Sequence, residues 1–575
     1  MIRARSSATG CYPVAPMIRD LAAHEGPLPE YDVCIVGSGP AGTTVAVELA
    51  DSGLRVAVLE SGTQKTSARG DRLRRVDSVG ITIKDYSRER VLGGASSTWA
   101  GLSSPLDPID FERRPWLVAP GWPFARAELE PYYEAAAARY RFPPRSCFAP
   151  DGFARLRAKS PLQPAFERLD EKVFLARATP QHFGREHRAV YERELVDLWV
   201  DATVLRLEAN GAGSHVDAVS VRTSNGRTER LRARSFVLAC GGIENARLLL
   251  LSRAADGRAL GNTNDQVGRW FMNHPKNYFG VLRLANPVEA APYWFGCLHD
   301  GFAGYGGLRL TEDEQRRRRV LNSYVRFEPL FPWSDNRGVE AFILLVKRAT
   351  FVLRSFTRTK AGEVIELRDY AETGDDSTLQ NERKGIVGWL GVIGLVLINL
   401  HRVAQYVFFR LVKAVRPKIR RVRLRNFMEM EPRAEHRVTL AGERDEDGKE
   451  LPRVTHAPTE LDRRSLIELH TTLRAEFERT GLGRLEGELE RAEPWPIDQD
   501  ASHHLGATRM GNDPATSVVD ADLKVHGVDN LFCAGGSVFP TSGCANPTFT
   551  IVALSIRLAR HLRERSTHPK DEESR

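Results

Sequence analysis

The first clear hydrophobic pattern in the chain is a pair of short apolar runs with a helix-like stretch between them. Val33 to Val36 is the first run, and it breaks on Gly37. The segment Ala41 to Asp51 reads as a helix, and Val56 to Leu59 is a second apolar run that ends on Glu60. The order is strand, tight turn, helix, strand. A β-like pattern returns from Trp199 in WVDATVLRLEANG and SHVDAVSVRTSNG, then in SFVLACGGI, whose apolar part, Phe236 to Ile243, passes through a glycine pair into the helical ENARLLLLS. GWPFARAELEPYYEAA (Gly121 to Ala136) predicts a proline turn followed by an amphipathic helix, a lid or a domain-crossing element. Leu461 to Glu478 predicts another helix. Near the C-terminus, VDNLFCAGGSVFP predicts a strand ending on Gly535 and Gly536. ANPTFTIVALSIRLA predicts a long helix starting just after Asn546-Pro547, with Pro547 at a favoured first-turn position. Residues 137–195 show no clear periodicity, 276–385 read as mixed strands and loops, and Arg316 to Arg319 read as a solvated helix face.

Composition changes this picture in three places. A length of 575 residues suits two domains, and 42% hydrophobic with 27% charged residues suits a large buried core. The seven cysteines are scattered, odd in number and never in CxxC spacing, which predicts reduced thiols in a cytoplasmic protein and no zinc or iron–sulfur site. The N-terminal residues lack the apolar core of a signal peptide, so 1–28 is expected to be a loose leader, with Met17 a second candidate start. The net charge of +8 has a local source: Arg402 to Arg425 holds nine basic residues and no acidic one. A basic surface of the nucleic-acid-binding kind is therefore not indicated. Just before it, Ile386 to Leu400 is apolar apart from glycines and Asn399, and VAQYVFFRLVKAV follows as an amphipathic stretch. Fifteen residues fall short of a bilayer span. The segment reads either as a buried helical hairpin, as an interfacial helix whose arginines meet anionic lipid at the inner membrane face, or as a surface for a protein partner.

The glycines of the first turn carry chemistry. Gly37 lets the chain leave the strand sharply, Gly39 keeps side-chain bulk away from a pyrophosphate, and Gly42 lets helix and strand pack closely. The helix N-terminus offers free N–H groups to phosphate, and Glu60 can accept the ribose hydroxyls. This framework predicts dinucleotide binding. RVLGGASSTWAG, with Gly93 and Gly94, then fits a loop running past a flavin. His274, before Pro275, reads as a structural histidine at a domain crossing rather than a catalytic one. His503 and His504 precede a Gly-Ala-Thr turn. A helix starting after Asn546-Pro547 and aimed at a flavin ring would stabilise its anionic reduced form.

Taken together, GSGPAG with Glu60, LGGASSTWAG, VLACGGIENARLLL, HHLGATRMG and LFCAGGSVFPTSGCANPTFTIVALSIRLA resemble the glucose–methanol–choline family of FAD oxidoreductases, leaning toward its branch of pyranose oxidase and the fructose and gluconate dehydrogenases. The resemblance covers roughly 30–135, 200–275 and 500–562. It implies an α/β fold: a discontinuous Rossmann-like FAD-binding domain (29–115, 196–275 and 500–565) beside an α+β substrate-binding domain on an antiparallel sheet (116–195 and 276–499, with the 385–425 insertion), and a flexible tail over 566–575. It implies cofactor contacts at Gly37, Gly39, Gly42, Glu60, Gly93, Gly94, Ser97, Thr98, Val204, Gly535, Gly536, Asn546, Pro547 and Thr548. The family's H-x-x-G histidine falls on His503, the catalytic base, and its partner before the last helix falls on Asn546; His504 is one residue off that register. Thr98 stands where some relatives carry the histidine that links FAD covalently, so non-covalent FAD is expected. The implied activity is oxidation of an alcohol, in a sugar, polyol or glycoside, with oxygen, a quinone or another acceptor. The alternatives are a non-redox, lyase-type flavoprotein and a membrane-associated dehydrogenase that passes electrons to a non-oxygen acceptor.

Overall fold

In the computed structural model of the chain the described residues are 18–567, apart from 150–159, 161, 178, 289–293, 296, 300–301, 354–385, 412–417 and 498. The two apolar runs are neighbouring parallel strands, β1 (Tyr31–Val36) and β2 (Val56–Leu59), paired from Val33↔Val56 to Val36↔Leu59, with α1 (Pro40–Leu49) crossing between them. All of β2 and nearly all of β1 are buried, as a parallel sheet covered on both faces requires. On its other side β1 pairs in parallel with the long strand β3 (Thr228–Leu238), which turns at Cys240-Gly241 into α2 (Gly242–Leu251). The strands Val216–Arg222 and Thr203–Ala209 extend the sheet in antiparallel fashion beyond β3, and Val196–Val200 extends it beyond β2. The expected leader departs from its reading at residue 18. Ile18–Asp20 pairs in parallel with Val196–Val200, Leu21 is fully buried, and Arg19 lies 3.1 Å from Asp197 and over the ring of Trp199.

The second sheet is antiparallel throughout. It consists of Leu169–Arg177, Lys276–Val288, Cys297–His299, Phe302–Leu310, Tyr324–Leu330, Ile419–Phe427 and Gly483–Glu486. Its own hydrophobic core contains Trp294, Phe327, Leu424 and Phe477, the last from the helix Glu460–Arg479. Three helices join this core: α3 (Arg337–Leu353), α4 (Ile386–Ile398) and α5 (Leu400–Leu411), through Val339, Val396, Val403, Tyr406 and Phe409.

Two stretches expected in the substrate domain pack elsewhere. The helix Glu130–Tyr140 lies on the nucleotide side and is no lid: the Tyr140 hydroxyl donates to Glu48 of α1 at 2.8 Å, and the Tyr133 hydroxyl lies 2.7 Å from Thr550 Oγ1. The strands Arg437–Arg444 and Glu450–Thr455 form a small sheet with Asp77–Val79, and Arg247 of α2 donates to Asp445 at 2.8 Å. Buried aromatic and aliphatic residues of both stretches, Tyr133 and Val454 among them, belong to the nucleotide-side core.

The chain then returns to the first sheet. β4 (Leu531–Cys533) pairs in parallel with β3 from Phe236↔Leu531 to Leu238↔Cys533, and α6 (Thr548–Thr567) packs on α1. The sheet thus holds β4, β3, β1 and β2 side by side, joining the start and end of the sequence.

Candidate active site

A cavity of about 650 Å³ runs from the glycine turn after β1 to the face of the antiparallel sheet. At the turn, Gly37 has φ +104°, and a Cβ there would meet the carbonyl of Ala239 at 2.6 Å. A Cβ on Gly42 would fall 1.9 Å from Gly37 O, so helix and strand touch there as expected. Gly39 is different: a Cβ built there meets nothing within 4 Å. Its bare surface faces the cavity beside the N-terminus of α1, where no side chain caps the helix. Glu60 is buried and held by Ser38 N at 3.1 Å, Ser38 Oγ at 2.6 Å and Gly62 N at 2.8 Å. A carboxylate has room for further donors beyond these three.

The second glycine loop closes on the first. Gly93 N donates to Ser38 Oγ at 3.2 Å, and a Cβ on Gly94 would lie 3.2 Å from Gly39 Cα. Of the residues expected on the cofactor, Gly37, Gly39, Glu60, Gly94, Thr98, Val204, Gly535, Gly536, Asn546, Pro547 and Thr548 line the cavity. Gly42, Gly93 and Ser97 do not; they build the turns behind its wall, Ser97 by donating to Gly94 O at 2.9 Å. The Thr98 hydroxyl donates to Tyr86 O at 2.9 Å. Asn245 joins α2 to the C-terminal glycines: its amide donates to Ala534 O and lies on Ser537 Oγ, both at 2.9 Å, and its carbonyl accepts from Cys240 N.

A charged cluster that sequence patterning did not single out closes one part of the wall. Burial alone would raise the Glu244 carboxyl, but Arg247, Arg90 and Arg88 hold it well below the usual carboxylate range. Lys449 joins them, its Nζ 3.5 Å from Val204 O, and burial together with Arg247 pushes its ammonium down to about 8. No motif surrounds Lys449, and nothing in residues 426–499 had pointed to the site.

The histidines meet at another part of the cavity. An antiparallel bridge between Met272 and Leu505, bonded at 2.9 and 3.1 Å, sets Asn273-His274 beside Ser502-His503. Asn273 Oδ1 accepts from the amides of both Ser502 and His503. His274 Nδ1 lies 2.9 Å from His503 Nδ1, and His274 Nε2 lies 3.2 Å from the carbonyl of Ser542. His274, expected as a structural histidine, thus lines the cavity in contact with His503. A carbonyl only accepts, so His274 carries its proton on Nε2 and presents a bare Nδ1. His503 must then donate from Nδ1, which leaves its Nε2 as a free lone pair. Burial, reinforced by His274, holds His503 well below the usual histidine range, and burial takes His274 to about 4, so both rings are neutral near pH 7. His504 Nε2 is 3.4 Å from Ser87 Oγ, and burial brings that ring to about 3. Asn546 lines the same cavity, and no described residue hydrogen-bonds its side chain.

Comparison with known proteins finds matches toward both ends of the chain. Residues 32–260 match the family model for FAD dependent oxidoreductases, and residues 432–555 match the model for GMC oxidoreductases. These matches and the relatives below support the chain as a GMC family FAD oxidoreductase. It is an FAD-dependent oxidoreductase of the class that acts on CH–OH groups. Paromamine 6'-oxidase of Streptomyces fradiae is 25% identical over 92% of this chain and 91% of its own. The fructose dehydrogenase large subunit of Gluconobacter japonicus is 26% identical over 62% of this chain and 52% of its own. Among solved structures, formate oxidase from Aspergillus oryzae shares the fold, with a TM-score of 0.54 at 17% identity, covering 95% of this chain and 100% of that one.

Proposed function

We propose that this oxidoreductase oxidises a hydroxyl group of a sugar, polyol or glycoside, with His503 as the base and FAD held without a covalent link. The observation that carries this reading is the free Nε2 of His503 in one cavity with the side chain of Asn546 and the glycine cradle of β1 and α1. The residues fit the dinucleotide, because Gly39 leaves open the space a Cβ would fill. Gly39 and the first turn of α1 would take the pyrophosphate, Glu60 the ribose, and Gly535, Gly536 and the start of α6 the ring end. FAD bound there would supply a two-electron acceptor for the hydride of the carbon that carries the hydroxyl.

The chain's own residues manage the proton. His503 Nε2 accepts it from the substrate hydroxyl, and neutrality at pH 7 keeps that lone pair available. The amide of Asn546 donates to the developing alkoxide without titrating itself. Thr98, whose hydroxyl is committed to Tyr86 O, offers no imidazole for a covalent link. Sugar and amino-sugar alcohols as substrates are supported by what the relatives' names say those proteins act on.

The test is anaerobic titration of the yellow protein with sugars, polyols, glycosides and simple alcohols. One or more should bleach the flavin bands, and His503→Ala should slow bleaching by about 10²- to 10⁴-fold. Acid precipitation should leave the flavin in the supernatant. A flavin that no alcohol reduces would transfer the reading to non-redox chemistry, and flavin retained in the acid pellet would refute the non-covalent link.

A further inference from the structure

We propose that α4 and α5, together with the exposed part of α3, form a surface that docks onto an anionic lipid bilayer. Among the described residues twelve large hydrophobic side chains are exposed, and eight of them lie on these three helices. Leu397, Ile398, Leu400 and Leu411 are 64%, 79%, 57% and 76% exposed. Elsewhere such residues occur singly, as on any protein surface; here they are contiguous in sequence and fold.

The patch belongs to a built structure. Asn399 sits at the bend between α4 and α5, where the two axes turn by 79°. Its amide accepts from Asn336 Nδ2 at 3.0 Å and donates to Leu395 O at 2.9 Å. A Cβ on Gly338 would fall 2.2 Å from Asn399 Cβ, so α3 crosses the bend in direct contact. Val403, Tyr406 and Phe409 belong to the core of the antiparallel sheet and Val396 packs against it, which leaves the leucine side outward. A helix as apolar as IVGWLGVIGLVLI belongs inside protein or lipid, and this one has protein on one side only.

Length and charge select the occupant. No described helix is long and apolar enough to cross a membrane alone. At 13 and 12 residues, α4 and α5 reach roughly 20 Å each, short of the roughly 30 Å hydrocarbon core, so a bent pair lying in the interface suits their dimensions. Beyond α5 the sequence continues basic, and Lys418, Arg420 and Arg421 are exposed at the start of the strand Ile419–Phe427. An anionic lipid surface complements that charge. A second copy of the chain would bring the same positive stretch against itself.

Co-sedimentation of the FAD-loaded full chain with phosphatidylcholine vesicles, with and without phosphatidylglycerol, tests this. The protein should pellet with the mixed vesicles, and far less with phosphatidylcholine alone or at high salt. Leu397→Glu with Leu411→Glu, both at exposed positions, should reduce binding about tenfold or more while leaving flavin absorption and alcohol reduction unchanged. Lys418→Glu with Arg420→Glu should remove the preference for phosphatidylglycerol. A wild-type chain that stays in the supernatant with both vesicle types, or leucine variants that pellet as well as wild type, would overturn the proposal. A lipid-free dimer abolished by Leu397→Glu would assign the face to a second copy instead.

Discussion

Which nitrogen of His503 is basic is decided two hydrogen bonds away, at the carbonyl of Ser542. That oxygen fixes the proton of His274 on Nε2, and His274 in turn fixes the proton of His503 on Nδ1. His274 is thus a positioning residue. Replacing it with phenylalanine keeps a ring in place but removes the acceptor, so both tautomers of His503 become accessible. The rate of anaerobic flavin bleaching in stopped flow should fall roughly tenfold or more. His274→Asn retains an acceptor near Nδ1 and an amide donor, and should recover most of that rate; a purely space-filling role would give the opposite order. The family resemblance could bring His503 and Asn546 to the cavity they line because both stand inside recognisable glycine-rich blocks. It could not reach the role of His274, whose partner lies 229 positions away and is brought close only by the Met272–Leu505 bridge.

Elements built from local pattern were the most legible. The β1–α1–β2 unit appears where its hydrophobic period and glycines place it, because the turn, the helix and both strands are specified within thirty residues. The three glycines of its turn now separate by role. Gly42→Ala would drive a methyl group into Gly37 O and should destabilise the flavin-stripped protein by about 1–3 kcal/mol or prevent folding. Gly39→Ala meets empty space, so the stripped protein should melt within about 0.5 kcal/mol of wild type yet fail to retain FAD on gel filtration. Equal melting losses in both variants would mean that Gly39 serves packing alone. The helix Glu130–Tyr140 and the strands of 437–455 were legible as elements but not in placement. Their amphipathic faces fit either domain, and the contacts that decide, Tyr140 with Glu48 and Arg247 with Asp445, join distant parts of the chain.

Across the whole molecule, buried neutral histidines set the response to acid. Burial takes His274 and His436 to about 4, and His456 and His470 to about 3. Unfolded, each titrates near 6.5, so below that pH the unfolded chain takes protons first. Each histidine therefore withdraws stability as pH falls from about 6.5 toward its folded value, at roughly 1.4 kcal/mol per pH unit. Asp110 and Asp462, held up to about 7 mainly by burial, act in the opposite sense, since their folded forms take protons first. With His503 and His504 lowered by burial as well, the histidines outnumber the two aspartates, so stability falls as pH drops from about 6 to about 4.5. The urea midpoint should drop accordingly; a midpoint flat across that range would show that the histidines are solvated in the native state. The two-sheet architecture was legible through the family resemblance that the motifs carry, whereas the edge strand Ile18–Asp20 was not, because three residues carry no period.

The place of β4 has a consequence for how the enzyme is made. A ribosome delivers β1, α1 and β2 first, and β3 some two hundred residues later, yet the strand beside β3 and the helix that closes the ring end of the cavity come last. While the chain is being translated, the flank of β3 over Phe236–Leu238 is an unpaired sheet edge, and the glycine cradle lacks its far wall. Cofactor capture therefore belongs to the end of biosynthesis, and until then the nascent protein has its greatest need of a chaperone along that edge.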